Sequence, residues 1–312
     1  MKAIAHQHKK TRFAPTPSGF LHLGNVLSLA ITAALAEQTS SRILLRIDDL
    51  DRERTQPEYV RDIFETLNFM EIAWDEGPGD EAQFENEYAQ LHRMPLYNNA
   101  LTHLANNDHV FACTCSRSEI LRQEPEGIYP GTCIHKDLPL DTPGCCWRLR
   151  TPDIANVRVN AFNKGTIATQ VPKSMRNCIV RKKDGYPAYQ LNSIIDDIHF
   201  GVDFIVRGQD LWESTLAQLH LSELFGENSF RNNTFLHHPL LIGADGSKLS
   251  KSAGATSIQY LRKQGLLPAD IYALIGSVLN FKSAVSTRQE LTELVFLIQI
   301  SYSTQIVAQF AL

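Results

Sequence analysis

Hydrophobic and polar positions in the first seventy residues follow two spacings, which predict strands and helices in turn. "TRFAPT" is predicted to be a short strand that ends in a proline-containing turn, and "SRILLRIDD" a buried strand. Apolar residues three and four apart predict helices in "HLGNVLSLAITAALAEQ" and "PEYVRDIFETLNFM", with Pro57 at the first helical position of the second. This order favours an α/β fold with a doubly wound parallel, Rossmann-like sheet.

The pattern changes near Asp108 and changes back near Tyr186. Short strands and turns, including a turn in "RKKDG", predict an insertion. Beyond it, "AYQLNSIIDDIHFG" and "VDFIVRG" are strand candidates. Asp196 and Asp197 in the first of these are interpreted as structural carboxylates. The segment "LWESTLAQLHLSELFG" is a predicted helix closed by Gly226. The predicted domains are 1–108 and 186–255 as the two halves of a catalytic domain, 109–185 as the insertion, and 256–312 as a small helical C-terminal region.

Composition narrows the class of protein. The 312 residues are 43% hydrophobic with a net charge of −4, so we expect a globular chain without a general basic field, and any nucleic acid would need a local patch. We find neither a 20-residue apolar run nor a secretion signal, which predicts a cytoplasmic protein that does not enter the membrane. In a reducing compartment the six cysteines are expected to be free thiols or metal ligands.

Two short motifs carry residues suited to a nucleotide triphosphate. In "APTPSGFLHLGN", a predicted strand leads into a helix whose free N–H groups could face phosphate. His22 and Asn25 could donate hydrogen bonds there, and Gly24 would let the phosphate or a purine ring approach the backbone closely. In "LIGADGSKLSKSAG", Lys248 and Lys251 lie on a loop. Each motif alone has an ordinary explanation, a helix cap with a surface histidine in the first case and a solvated charged turn in the second.

Together "HLGN" and "KLSKS" resemble the two signatures of class I aminoacyl-tRNA synthetases. The resemblance implies amino-acid activation, in which a carboxylate attacks the α-phosphorus of ATP and pyrophosphate leaves. It implies that His22, Gly24, Asn25 and Lys251 contact ATP, that Lys248 and Lys251 stabilise the leaving pyrophosphate, and that Mg²⁺ assists. The predicted catalytic residues are therefore His22, Asn25, Lys248 and Lys251.

Further segments resemble the glutamyl branch of that class, namely "RFAPTPSG", "RIDD", "AYQL" and "VRGQDL". The resemblance implies a glutamate site made of Arg12, Thr16, Asp48, Tyr189 and Arg207. Arginine suits this role because its planar fork binds a carboxylate through two hydrogen bonds. Asp48 departs from the branch, which usually has glutamate there. The shorter side chain withdraws the carboxylate by about 1.5 Å, so either the backbone or Asp49 compensates, or the pocket takes a different amino acid.

The insertion contains a candidate zinc site in "CTC…GIYPGTC". Cys113, Cys115 and Cys133 could supply three thiolates of a tetrahedral shell, and buried inert cysteines are the alternative. The glutamyl-branch resemblance implies Tyr129 as the fourth ligand of a structural zinc, while His135 lies close enough in sequence to compete. The remaining cysteines are interpreted as packing residues: Cys145, Cys146 and Cys178.

Length separates two subfamilies of this branch. Only 60 residues follow Ser252, which leaves no room for an anticodon-binding domain, so we expect that domain to be absent. The chain in this respect resembles the glutamyl-queuosine tRNA(Asp) synthetases. That resemblance implies a monomer that transfers glutamate from ATP-activated glutamate to queuosine in tRNA(Asp). The alternatives are a stand-alone ligase with a small-molecule or protein acceptor, and an inactive paralogue that binds tRNA or a partner.

Overall fold

The structure is a computed structural model that describes residues 8–162, 164–241, 257–279 and 281–301, with side chains described as far as residue 294. It contains helices α1 to α10: Leu23–Thr39, Pro57–Phe69, Glu81–Gln83, Met94–Asn106, Arg117–Gln123, Tyr189–Phe200, Trp212–Glu223, Ile258–Lys263, Pro268–Val278 and Arg288–Ser301. It contains strands β1 to β9: Lys10–Phe13, Arg42–Leu45, Val110–Cys113, Cys146–Leu149, Asn156–Ala161, Gly165–Gln170, Ile179–Arg181, Phe204–Gly208 and Thr234–His238.

The strand–helix–strand–helix order predicted at the start of the chain is confirmed. Strands β1 and β2 pair in parallel, from Lys10 opposite Arg42 to Phe13 opposite Leu45. Helix α1 connects them, and Pro57 is the first residue of α2, where its missing N–H costs nothing. A parallel pair needs such a crossover because a tight turn can only return the chain antiparallel.

The described strands form three sheets of different kinds. Besides the parallel pair β1–β2, they are an antiparallel sheet β3-β4-β7 and a four-stranded sheet ordered β6-β5-β9-β8. The last is mixed because β5 pairs antiparallel with β6 through a tight hairpin and parallel with β9. The α/β class is therefore confirmed, with mixed sheets in place of the single parallel sheet that the sequence predicts.

The chain divides into two compact units. The first comprises Met1–Gln90, Val206–Gln209 and His237–Leu312, and the second comprises Leu91–Ile205 and Asp210–Leu236. In the first unit, α1 is almost wholly buried and packs against β1, α9 and α10. Helix α10 thus has α1 and α9 as its neighbours. Within the described residues, no helix is both long enough and apolar enough to cross a membrane.

The segment "AYQLNSIIDDIHFG" was wrongly predicted as a strand and is helix α6. Its apolar residues Leu191, Ile194, Ile195 and Ile198 recur at the spacing i, i+3, i+4, i+7, which places them on one helix face. Gly201 ends the helix in the left-handed region at φ 70°. The isoleucines favour a strand locally, but periodicity over three turns outweighs that preference.

A buried ion pair joins α4 to α6 in the second unit. Arg93 donates to both carboxylate oxygens of Asp196, at 2.7 and 3.1 Å, and the Tyr97 hydroxyl donates to the same carboxylate at 2.6 Å. Arg93 and Asp196 are 6% and 0% exposed. The interpretation of Asp196 as structural is confirmed, although it lies within a helix and not at a strand end.

We expect Asp196→Ala to lower the free energy of unfolding by about 3–5 kcal/mol, because it leaves a buried guanidinium without its carboxylate. Asp153→Ala in the same unit is the matched control, since Asp153 is fully exposed and lies 3.7 Å from Arg176. We expect the control to cost less than about 1 kcal/mol. Urea denaturation measures both, and equal losses would contradict a structural role for the buried pair.

Candidate active site and candidate metal centre

His22 is the N-cap of helix α1, and its ring orientation is fixed by the helix. Its Nδ1 accepts a hydrogen bond from the Gly24 N–H at 3.1 Å. Its own N–H donates to the Asn25 side-chain oxygen at 3.0 Å, which completes a capping box. The helix-cap explanation of "HLGN" is thus correct, and each such cap typically stabilises a helix by about 1 kcal/mol.

The cap also decides which ring nitrogen of His22 carries the proton. Because Nδ1 accepts from Gly24, the neutral ring has its proton on Nε2, and this N–H is the donor. Gly24 makes room for this arrangement, since a Cβ there would lie 3.0 Å from the His22 ring. The Asn25 amide oxygen is used by the cap, which leaves its NH₂ group as a donor at the positive end of the helix.

Two contacts from distant parts of the sequence hold this helix start. The buried carboxylate of Asp62 on α2 accepts from the Leu21 N–H at 2.7 Å. Burial raises the pKa of Asp62, and the hydrogen bond from Leu21 opposes that shift. Ser257 forms an antiparallel bridge with His22, and the Ile258 N–H donates to the Leu21 carbonyl at 2.8 Å. Lys248 and Lys251 lie outside the described residues, but the chain after them returns beside His22.

Arg12 and Arg207 are neighbours in the first unit. Arg12 lies on β1 and Arg207 on β8, and each residue is 4% exposed. Arg12 donates to the carbonyl of Val206, the residue before Arg207, at 3.2 Å. Two buried guanidinium groups on adjacent segments suit a ligand with a carboxylate.

Asp48 lies next to Thr16, because the parallel ladder continues past the assigned ends of β1 and β2. The Arg46 N–H donates to the Phe13 carbonyl at 2.9 Å, and the Asp48 N–H donates to the Pro15 carbonyl at 3.0 Å. Arg12, Thr16, Asp48 and Arg207 are therefore brought to one region of the first unit. Their role in binding glutamate stays a prediction.

Asp48 is held by Arg46, a residue to which the sequence assigned no role. Arg46 donates to both carboxylate oxygens of Asp48, from Nε at 2.7 Å and Nη2 at 3.0 Å, and both residues are buried. A bidentate pair fixes both the position and the plane of a carboxylate. The signal was the arginine two residues before Asp48, since alternate residues of a strand face the same side.

The Asp49 carboxylate takes part in structural hydrogen bonds. Its carboxylate is fully buried and accepts from the Gln90 N–H at 2.8 Å and from Arg52 at 2.8 Å. The Gln90 side chain in turn accepts from the Leu50 N–H at 3.0 Å. These bonds fix the turn after β2, so compensation for the short Asp48 side chain by Asp49 is disfavoured.

Tyr189 belongs to the second unit, where it is the first residue of helix α6. The residue is 38% exposed. Ala188, the N-cap, donates its N–H to the Val180 carbonyl at 2.8 Å, which ties the helix start to β7. The turn predicted in "RKKDG" precedes it and is confirmed, with Gly185 at φ 90°.

Three of the four predicted zinc ligands form a compact cluster in the second unit. The sulfur atoms of Cys113, Cys115 and Cys133 all lie within 4.8 Å of one another, and those of Cys115 and Cys133 are 3.6 Å apart. Zn–S bonds of about 2.3 Å in a tetrahedron place sulfur atoms about 3.8 Å apart, so the donor set fits a zinc ion.

Tyr129 fits the fourth position better than His135. The Tyr129 ring packs against the cysteine cluster, and its hydroxyl accepts from the Cys133 N–H at 2.8 Å. The Arg148 guanidinium stacks over the same ring at 3.9 Å. His135 is exposed, and its ring nitrogens do not join the three-sulfur group.

The cluster favours one thiolate before any metal binds. A hydrogen bond from Cys146, with weaker ones from Tyr129 and Arg148, outweighs burial and lowers the pKa of Cys113 to about 4. Burial and the neighbouring sulfur atoms raise the pKa of Cys115 to about 12. Since zinc binds thiolates, its binding at this site would release protons and would weaken as the pH falls.

Cys146 contacts a predicted ligand, which the interpretation as a packing residue did not foresee. It is directly opposite Cys113 in the β3–β4 ladder, and its sulfur is 3.4 Å from the Cys113 carbonyl oxygen. Cys145 is buried and lies 3.3 Å from the Leu140 carbonyl oxygen. Burial raises the pKa of Cys178 to about 12, which makes it an unreactive thiol.

We expect Cys115→Ser to lower the zinc content well below about one ion per chain, because a neutral hydroxyl replaces a thiolate ligand. Cys178→Ser is the control, since it removes a thiol outside the cluster and should leave the zinc content unchanged. Metal analysis of the purified proteins measures both. Full zinc content in the Cys115 variant would contradict the assignment, as would equal loss in the control.

Comparison with known proteins identifies the family of the chain. Glutamate–tRNA ligase of Anaeromyxobacter sp. (strain K) is 33% identical over 266 residues, covering 83% of this chain and 55% of the relative. Glutamate–tRNA ligase of Dehalococcoides mccartyi (strain BAV1) is 30% identical over 308 residues, covering 95% of this chain and 62% of the relative. The chain thus spans little more than half the length of the curated relatives it matches.

Solved structures show the same fold. The glutamate–tRNA synthetase of Elizabethkingia anophelis superposes with a TM-score of 0.69 at 22% identity, covering 91% of this chain and 65% of that one. The family of class I tRNA synthetases (E and Q), catalytic domain, matches residues 9–309. With nearly its whole length matched, the chain belongs to the class I tRNA synthetases (E and Q), whose catalytic domain it contains.

Proposed function

We propose that the chain activates glutamate with ATP and transfers the glutamyl group to the queuosine base in the anticodon of tRNA(Asp). The observation that carries the first half is the pair of buried guanidinium groups, Arg12 and Arg207, in one unit with the capped start of α1. An arginine pair suits the carboxylates of glutamate, and a helix start with a histidine donor suits phosphate. The relatives' names, glutamate–tRNA ligase, point to the same amino acid.

Activation exchanges one phosphorus–oxygen bond for another. The α-carboxylate oxygen of glutamate bonds to the α-phosphorus of ATP, and the bond to pyrophosphate breaks. Negative charge accumulates on the phosphoryl oxygens, where donors such as His22 Nε2–H and the Asn25 amide would stabilise it. Lys248 and Lys251 are proposed to bind the leaving pyrophosphate, and Mg²⁺ would supply further positive charge when bound.

Transfer releases AMP. In the proposed second step, a hydroxyl oxygen of the cyclopentenediol ring of queuosine attacks the acyl carbon and loses its proton to solvent, the mixed anhydride bond to AMP breaks, and an ester forms. The choice of this acceptor over the 3′ end of a tRNA is part of the proposal, and the transfer experiment described below tests it. The zinc site is proposed to be structural, because its ligands pack with the apolar side chains of the insertion.

The decisive measurement is ATP–pyrophosphate exchange without tRNA, with each of the twenty amino acids in turn. We expect exchange with glutamate, and a loss of about 100-fold or more in Lys251→Ala, because that variant lacks a cation at the leaving group. Absence of exchange with any amino acid by a folded protein would favour an inactive, tRNA-binding paralogue.

Labelled glutamate then identifies the acceptor. We expect transfer to tRNA(Asp) that contains queuosine and none to the same tRNA without it or to tRNA(Glu). The label should also survive removal of the 3′ end, since the acceptor is a base of the anticodon. Exchange without transfer to any tRNA would favour a stand-alone ligase, and labelling of tRNA(Glu) would indicate ordinary tRNA charging.

We expect Arg46→Lys to raise the KM for glutamate about 10-fold or more while leaving the KM for ATP nearly unchanged. A lysine keeps the charge but cannot hold both oxygens of Asp48, so the carboxylate loses its fixed position. Arg54→Lys is the control, because this exposed arginine also pairs with an aspartate, Asp51, but lies on the surface. Equal changes in both KM values would show that Arg46 acts on the fold and not on the amino-acid site.

A further inference from the structure

Buried arginines among the described residues have an anionic partner, or an assigned one, in four cases out of five. The five are Arg12, Arg46, Arg93, Arg148 and Arg207. Arg46 and Arg93 pair with aspartates, and Arg12 and Arg207 are assigned to the carboxylates of the proposed substrate. A guanidinium stays charged in proteins, and a buried charge is costly unless an opposite charge compensates it. The fifth arginine, Arg148, therefore needs an explanation.

Arg148 lies on β4 in the second unit and is 7% exposed. Its Nη1 donates to the Asn177 carbonyl at 2.9 Å, while its buried Nε has no hydrogen-bond partner among the described residues. No carboxylate in this part of the chain forms an ion pair with it. Arg150, two residues further on, has such a partner, since its Nε is 3.3 Å from the Asp108 carboxylate. The charge of Arg148 thus calls for an anion other than these side chains.

The strand pairing puts Arg148 on the face of the sheet that carries the cysteines. In the β3–β4 ladder, Arg148 is directly opposite Phe111, and Cys146 is directly opposite Cys113. Alternate residues of a strand share a face, so these four side chains lie on the same side of the sheet. Phe111, Cys113 and Cys146 belong to one buried cluster with Cys133. The guanidinium therefore lies beside the predicted zinc ligands.

The guanidinium of Arg148 also covers the ring of Tyr129, the proposed fourth ligand. Its central carbon is 3.9 Å from the ring centroid, which is a direct stacking distance. The Tyr129 hydroxyl accepts from the Cys133 N–H at 2.8 Å, so the residue is held both at its face and at its oxygen. A cation is attracted to the electron-rich face of an aromatic ring, and this contact fixes the ring close to the cysteines.

A zinc ion bound to the three cysteines would supply the missing negative charge. Three thiolates and one divalent cation leave one negative charge, which the single positive charge of Arg148 balances. Zinc keeps its sulfur ligands as thiolates, so this charge is present whenever the metal is bound. Coordination by a Tyr129 phenolate would add a second negative charge beneath the guanidinium and would strengthen the attraction.

We propose that Arg148 provides the counter-charge of the zinc centre and positions Tyr129 for coordination. The proposal rests on the zinc site predicted for Cys113, Cys115 and Cys133, and it adds a residue that offers no ligand atom of its own, because a guanidinium has no acceptor. It is independent of the proposed catalytic function, since zinc binding requires neither ATP nor glutamate. Residues that support metal ligands in this way typically change the metal affinity about 10–100-fold.

The test measures the zinc affinity of the full chain by competition with a chromophoric zinc chelator. We expect Arg148→Gln to weaken zinc binding about 10-fold or more, because glutamine can still donate to the Asn177 carbonyl but leaves the charge of the metal centre uncompensated. Arg148→Met is the second neutral variant if the glutamine variant does not fold. We expect a smaller loss in Arg148→Lys, which keeps the charge. Equal losses in the lysine and neutral variants would overturn the counter-charge role.

The matched control is Arg181→Gln on the neighbouring strand β7. The Arg181 guanidinium lies over the Trp147 ring at 5.0 Å. Trp147 lies between Cys146 and Arg148 on β4 and therefore faces the opposite side of the sheet. The control thus removes a stacked arginine from the same sheet on the side away from the predicted ligands, and we expect its zinc affinity to stay within about 2-fold of the wild type. Equal weakening in Arg148→Gln and in this control would overturn the proposal.

Thermal unfolding separates a role at the metal from a role in the fold. We expect Arg148→Gln to lower the unfolding midpoint of the zinc-loaded protein more than that of the zinc-depleted protein, because the stabilisation that a ligand confers falls with its affinity. An equal decrease in both forms would assign Arg148 to the fold alone and overturn the proposal. A wild-type chain that binds no zinc would overturn it together with the zinc site, while the exchange reaction still reports separately on the proposed function.

Discussion

The parallel ladder of β1 and β2 is the constraint on which the candidate amino-acid site depends. Its last two hydrogen bonds, from Arg46 to Phe13 and from Asp48 to Pro15, lie beyond the regular strands and fix the register of both segments. A slip by one residue would turn alternate side chains to the opposite face and move Asp48 away from Thr16. The buried residues of α1 and β2 oppose such a slip, because it would also expose the core. Packing of the core therefore positions the polar residues.

The start of α1 links stability to chemistry in a similar way. The bond that satisfies the Gly24 N–H also selects the ring tautomer of His22, so one interaction caps the helix and makes the Nε2–H the ring donor. Asp62 and Ser257 hold the same turn from two other segments. A donor that is already oriented needs no reorganisation when charge develops nearby, which is the main advantage of a preformed site.

The sequence predicted those elements whose pattern is local and regular. Helices α1 and α2 have clear apolar spacing and a defined start, and the three-cysteine cluster followed from ligand type and spacing. Helix α6 was missed because its isoleucines suggested a strand, although its spacing was helical. The Arg46–Asp48 pair and the choice of Tyr129 over His135 depend on side-chain direction and exposure, which a linear sequence does not contain. The mixed sheet likewise depends on the long-range pairing of β5 with β9.

The cysteine cluster closes a long stretch of chain with little regular structure of its own. Nineteen residues lie between Cys113 and Cys133, and α5, with seven residues, is the principal element among them. A helix of that length is not stable alone, and the entropy gained on opening such a loop is substantial. A metal ion held by these sulfur atoms would act as a cross-link, much as a disulfide does in an oxidising compartment. Metal supply in the cell would then set how often this segment opens and becomes accessible to proteases.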